Sequence, residues 1–206
     1  ATILEGEAKV QAPERKVSFD DSDIPGLIVQ RHLHFDRLLE RAEPLDPIPT
    51  AVVAPEEENS LGGALLAARE TIIAPVLVGD RGKIEAAAEA LGADLSGVEI
   101  LEAATHAEAA ARAVKLVHGG RAEALMKGHL HTDALLGAVV KREGGLRTGR
   151  RLTHVFVMDV PGLDHPLLVT DAAINISPDI ETKVDIVQNA IDLALSIGIE
   201  EPKCGI

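Results

Sequence analysis

The chain has 206 residues, enough for one good-sized domain with a real hydrophobic core, and its 46% apolar content argues against disorder. Three phenylalanines and no tryptophan or tyrosine leave Leu, Ile, Val and Ala to fill that core, without the stacking platforms that single-strand nucleic-acid binders use. A net charge of −13 disfavours nucleic acid or an anionic membrane as partners. Cys204 stands alone, no apolar run nears the roughly 20 residues that cross a bilayer, and no signal-like stretch opens the sequence; a cytoplasmic protein is expected.

In chain order, "TILEGEAKVQAP" reads as a single strand ending at Pro13, and residues 1–25 as a tail, a swapped arm or the end of a preceding domain. From residue 26 the alternation of a globular domain sets in. Residues 32–42 have helical spacing, with His32 and His34 on an exposed face, and the proline-rich "PLDPIP" breaks the helix. A short apolar strand over 50–54 leads to a helix from Asn59 or Ser60 to about Thr71. The strand "PVLVG" follows, then a helix capped by Asp80 and running to Leu91; "GDRGK" reads as a plain strand-to-helix turn. "VEIL" is the next strand. In the helix after it, Thr105 and Glu108 form a capping box, with Gly119 as its left-handed stop.

Then come the strand "AEALM", the motif "MKGHLHTD", and a helix from about Thr132 to Glu143. Residues 152–160 and 166–172 are two strands joined by the turn "PGLDH". The last helix has Ser177 as N-cap, Pro178 at its first position, acids in its first turn and Gly198 at its end, and "PKCGI" starts a further strand. Short apolar strands alternating with helices predict a layered α/β/α domain with a mostly parallel sheet and one antiparallel element.

Ligands of such sheets sit where strands end and helices begin. Lys127, Gly128, His129, His131, Thr132 and Asp133 fall at one such junction, and Asp171 and Asn175 at another. Gly128 allows a close backbone approach, Thr132 is a candidate N-cap, the helix start offers free N–H groups, and Lys127 with the histidines adds cationic and proton-carrying groups. Between Arg112 and His154 nine lysines and arginines face three acids, so an acidic chain concentrates positive charge around this motif. Phosphate or a phosphorylated ligand fits that chemistry; His129 and His131 leave a metal open by spacing alone, although no Cys or carboxylate stands at a usual ligand distance. Neither G-x-G-x-x-G nor G-x-x-x-x-G-K-[ST] is present. Asp171 and Asn175 read equally well as a satisfied turn or as groups orienting a substrate.

Three blocks carry a resemblance beyond periodicity: "LMKGHLHTDALLGAVV", "GLRTGRRLTHVFVMDVPG" and "LLVTDAAINISPDIETKVDIVQNAIDLALSIGIEEPK". From about His32 to Lys203 the chain resembles the phosphate acetyltransferase/phosphate butyryltransferase family. The resemblance implies the first part of a two-domain, isocitrate/isopropylmalate dehydrogenase-like α/β fold with its site in the interdomain cleft, and a homodimer. It implies the reaction acyl-CoA + phosphate = acyl phosphate + CoA by direct attack of phosphate on the thioester, with coenzyme A as substrate and no metal or other cofactor.

The resemblance further implies that residues 26–206 form a transferase domain truncated at its C-terminal end. The family's catalytic serine, arginine and aspartate are expected beyond Ile206, so none is assigned here. Leu136 stands where the acetyltransferase branch has an arginine, which resembles the butyryltransferase branch. "ILEGEAKVQAPERKV" is similar to the last strand of a MaoC-like hotdog hydratase, which implies a fusion. Two rival readings are a non-catalytic CoA- or phosphate-binding fragment and a metal-dependent decarboxylating dehydrogenase of related fold. The second needs clustered acids, and Asp133, Asp159, Asp164 and Asp171 show no such spacing.

Overall fold

A computed structural model describes residues 33–171 and 173–206. The strand expected before Pro13, the tail over 1–25 and His32 lie outside the described residues. Four parallel strands, β1 (Ile48–Val53), β2 (Ile73–Gly79), β3 (Glu99–Glu102) and β4 (Ala124–Lys127), form one sheet in the order β3-β2-β1-β4. Helices cover both faces. Val52 and Leu77 pack on α2 (Glu58–Arg69) and α3 (Arg81–Leu91) through Leu61, Ala64 and Ile84. Ala51, Val53 and Val78 pack on α4 (His106–His118) and α5 (Thr132–Val139) through Ala109, Ala113 and Leu135. Because both faces are buried over the second half of β1, Ala51–Val53 is a continuous apolar run and not an alternation. Full burial of Val52, Val53, Leu61, Leu77 and Ile84 stabilises the sandwich by about 1.5–3 kcal/mol per side chain. The layered α/β/α expectation holds.

The antiparallel pair, β5 (Val155–Met158) and β6 (Leu167–Thr170), forms a separate two-stranded sheet and does not extend the parallel one. It lies with α6 (Ile180–Ser196), and α1 (Leu33–Ala42) is anchored to the same region. Asp159 Oδ2 accepts the N–H groups of His34 and Phe35 at 3.1 Å each, capping α1 from just beyond β5. His34 donates from Nε2 to the Leu163 carbonyl at 2.8 Å and is buried, contrary to its expected exposure. Arg41, at the other end of α1, reaches the carbonyls of Ser196 and Ile197.

Several boundaries differ from the sequence reading for local reasons. Helix α5 ends at Val139, not Glu143: Gly144 turns left-handed (φ 75°), and Leu146 N–H bonds back to the Val139 carbonyl at 2.7 Å. His131, not Thr132, is the N-cap of α5. For α6 the cap is Asp179, whose carboxylate accepts the Thr182 N–H at 2.8 Å, while Ser177 sits in the left-handed region (φ 52°) outside the helix. Gly119 is the C-cap of α4 at φ −81°, and the left-handed position is Gly120 at φ 69°. The Thr105 hydroxyl caps Glu108 N–H as expected, but the Glu108 carboxylate reaches Ala104 N–H, one residue earlier than a capping box requires. The residues "PKCGI" form no strand.

Candidate functional site

Winding of the parallel sheet reverses between β1 and β4. Strands β2 and β3 add on one side of β1, and the chain then returns to add β4 on the other. A crevice opens at the carboxyl ends of strands at such a switch point. Residues 54–57 leave β1 there and residues 128–131 leave β4.

Backbone packing at this point is tight. The N–H of Gly128 bonds to the Val53 carbonyl at 2.8 Å, and that of His129 to the Ala54 carbonyl at 2.6 Å. A Cβ on Gly128 would lie 2.4 Å from Ala54 O and 2.5 Å from Val53 O. The glycine therefore serves the approach of β4 to β1, and the close contact it was expected to make with a ligand is made with backbone. Ala54 is fully buried in a left-handed conformation (φ 51°), one that costs a residue with a side chain about 1–2 kcal/mol. It is held by its N–H to Val78 O at 2.7 Å and by its carbonyl to His129.

Lys127 ends β4, registered with Val53. It is half-buried, and among the described residues its ammonium has no hydrogen-bond or ion-pair partner. His129 Nδ1 lies 2.9 Å from Glu57 Oε2, a contact that spans the switch point. The N-termini of α2 and α5 flank this pair, and at neither does the cap residue, Glu57 or His131, supply a side-chain cap bond. Thr132 and the exposed Asp133 open the first turn of α5.

Next to these residues the structure gathers a group that sequence reasoning missed. The Glu56 carboxylate, 5% exposed, accepts from Asp80 N–H at 3.1 Å, Lys83 Nζ at 3.1 Å and His106 Nε2 at 3.3 Å. Burial pushes its pKa up as the largest single effect, but the Asp80 backbone, Lys83 and His106 together outweigh it and hold the carboxyl below its usual value. Lys83 is shifted upward by the same bond and remains charged. The ring of His106 meets that of His129 edge-on, with centroids 6.4 Å apart. "GDRGK" is thus more than a turn, since its last residue joins three strand ends through Glu56. Glu56, Glu57, Lys83 and His106 each lie within four residues of a parallel strand's carboxyl end, and that position was the signal available in the sequence.

Asp171 and Asn175 lie elsewhere. The Asn175 amide donates to the Asp171 carboxylate and to the Leu152 carbonyl, the latter at 3.0 Å. Burial alone would raise the Asp171 pKa; the Asn175 bond and the N–H groups of Ile174, Ala173 and His154 lower it overall. Asn175 lines a cleft of about 940 Å³ between residues 146–153 and α6, with Arg147, Arg151 and Asn189 on its walls. Val139 and Val140 border that cleft, so it lies at the end of α5 opposite Thr132, about 12 Å along the helix. None of Lys127–Asp133 lines that cleft. No set of three or more His, Cys, Asp or Glu side chains placed to hold a metal occurs among the described residues.

Residues 104–206 match the family described as Phosphate acetyl/butaryl transferase. The chain belongs to this family. It is 51% identical over 172 residues to a phosphate acetyltransferase of Rhizobium meliloti, an alignment covering 84% of this chain and 54% of that protein. It is 38% identical over 170 residues to a phosphate butyryltransferase of Clostridium beijerinckii, covering 82% and 56%. A phosphotransacetylase from Streptococcus pyogenes superposes with a TM-score of 0.66 at 17% identity, covering 80% of this chain and 58% of that one, and shares the fold. The chain spans about half the length of the curated relatives it matches. The family match begins at Ala104, takes in His106, Lys127–Asp133 and Asp171–Asn175, and leaves Glu56, Glu57 and Lys83 ahead of it.

Proposed function

We propose that this chain supplies part of a phosphate acyltransferase that moves an acetyl or butyryl group between coenzyme A and inorganic phosphate. A phosphate oxygen attacks the thioester carbonyl carbon, the C–S bond breaks, the acyl group leaves on phosphate and CoA departs as a thiolate that takes up a proton. The observation that carries this reading is Lys127, a half-buried cation without a partner among the described residues, at the switch point of a phosphate acetyl/butyryl transferase fold. An unpaired ammonium close to a helix N-terminus attracts an anion brought to it. Lys127, His129, His131 and the first turn of α5, with Thr132 and Asp133, form the proposed phosphate cradle; holding phosphate against the thioester is worth up to about 7–11 kcal/mol of the barrier.

Asn175, oriented by Asp171, is proposed as a separate contact for the organic substrate, on the cleft. The groups that stabilise the thioester oxyanion and the leaving thiolate are assigned to a C-terminal continuation of relative-like length. The full-length protein comprises residues 1–206 and that continuation. We further propose that it works in the cytoplasm as a homodimer, with coenzyme A as substrate and no metal. Leu136, half-buried on α5, fits use of butyryl-CoA beside acetyl-CoA.

The full-length protein is expected to release free CoA from acetyl-CoA or butyryl-CoA only when phosphate is present, as followed with a thiol reagent. Equal release without phosphate would identify a thioesterase and end this reading.

A further inference from the structure

We infer that His106 is a second imidazole facing the phosphoryl oxyanion bound at this sheet edge, beside His129, and that Glu56 is the residue that positions it. The inference rests on the transferase reading and deepens it. Three geometric facts support it. The ring of His106 stands at 86° to that of His129, with centroids 6.4 Å apart, so the two imidazoles form one surface at the carboxyl ends of β3 and β4. Each ring is tied through one nitrogen to a different carboxylate, His106 Nε2 to Glu56 at 3.3 Å and His129 Nδ1 to Glu57 at 2.9 Å. The other nitrogens, His106 Nδ1 and His129 Nε2, have no partner among the described residues.

Because an ionised carboxylate only accepts, Glu56 fixes the proton of His106 on Nε2 and leaves Nδ1 for a ligand. In the neutral ring Nδ1 accepts the P–OH of a protonated phosphate; in the imidazolium it donates to P–O⁻. A tetrahedral oxyanion carrying a proton satisfies either state. The Glu56 carboxylate does not compete for that ligand as a free charge, because Asp80 N–H, Lys83 and His106 already occupy it. It also ties β1 to the start of α3 and to α4, so the ring it holds is fixed relative to the switch point.

Inorganic phosphate and a phosphate group of CoA share this chemistry, and steady-state kinetics of the full-length protein separates them. His106→Asn is expected to raise the KM for inorganic phosphate about 3- to 10-fold while the KM for acyl-CoA stays within about twofold. The reverse pattern would place a CoA phosphate at the same imidazoles and support the inference with that ion. Glu56→Gln is expected to shift the same KM, and to add nothing once His106 is already Asn, a coupling that a purely structural carboxylate does not produce. His106 is 37% exposed, so His106→Asn serves as the folded comparison if Glu56→Gln lowers the melting temperature. A wild-type protein with phosphate-dependent CoA release, combined with unchanged KM values in His106→Asn, overturns the inference and leaves the transferase reading standing. Absence of that release in wild type overturns the reading itself and the inference with it.

Discussion

Replacing Lys127 by methionine in the full-length protein raises the KM for phosphate about 10- to 150-fold and leaves the KM for acyl-CoA nearly unchanged. The expected size follows from the loss of one charge-assisted contact, worth about 1.5–3 kcal/mol. Methionine keeps the length and apolar character of the stem, so the packing beside Val53 and Leu125 is disturbed little. Because Lys127 holds no carboxylate among the described residues, removing its charge strands no buried anion, and the folded state loses little stability. A Lys127→Met protein with wild-type phosphate kinetics would show that the cation faces solvent and that the cradle lies elsewhere.

Gly128→Ala is expected to lower stability strongly. Its new Cβ would sit 2.4 Å from one backbone carbonyl oxygen and 2.5 Å from another, and neither can swing away as a flexible side chain does. To relieve the clash, β4 must part from β1 and weaken the bonds from Gly128 N–H to Val53 O and from His129 N–H to Ala54 O. Overpacking against backbone is expected to cost about 3 kcal/mol, a fall of about 6–12 °C in the melting temperature of a domain this size. It also displaces His129 from Glu57, so phosphate binding should weaken in whatever fraction remains folded. An unchanged melting temperature would mean that the register of β1 and β4 differs from the one described.

The fold was legible in the sequence where one local signal had no competitor. Residues 50–54 and 75–79 are apolar runs between breakers, and both became central parallel strands. Asp80 and Thr105 capped their helices as their positions foretell. Boundaries failed where two capping residues competed. Ser177 and Asp179 are both good caps, and the left-handed backbone at Ser177 leaves the role to Asp179. His34 escaped because its burial depends on Asp159 and Leu163, well over 100 residues away, and no helical period encodes that contact.

The candidate site was half legible. Lys127, His129 and Thr132 stand in one short run, so spacing alone exposed them. Glu56, Lys83 and His106 come from three separate strand ends, and only the strand order β3-β2-β1-β4 makes them neighbours. The missing side chain of Gly128 matters as its sequence context suggests, but the partner that needs the space is the backbone at the end of β1 and not a ligand.

The most direct test of the central claim is the identity of the acyl product. The full-length protein, given acetyl-CoA and inorganic phosphate, is followed by ³¹P NMR with hydroxylamine trapping of the activated acyl group. One acyl phosphate formed for each CoA released is the predicted result. Free carboxylic acid appearing in its place, with the phosphate signal unchanged, would contradict the account.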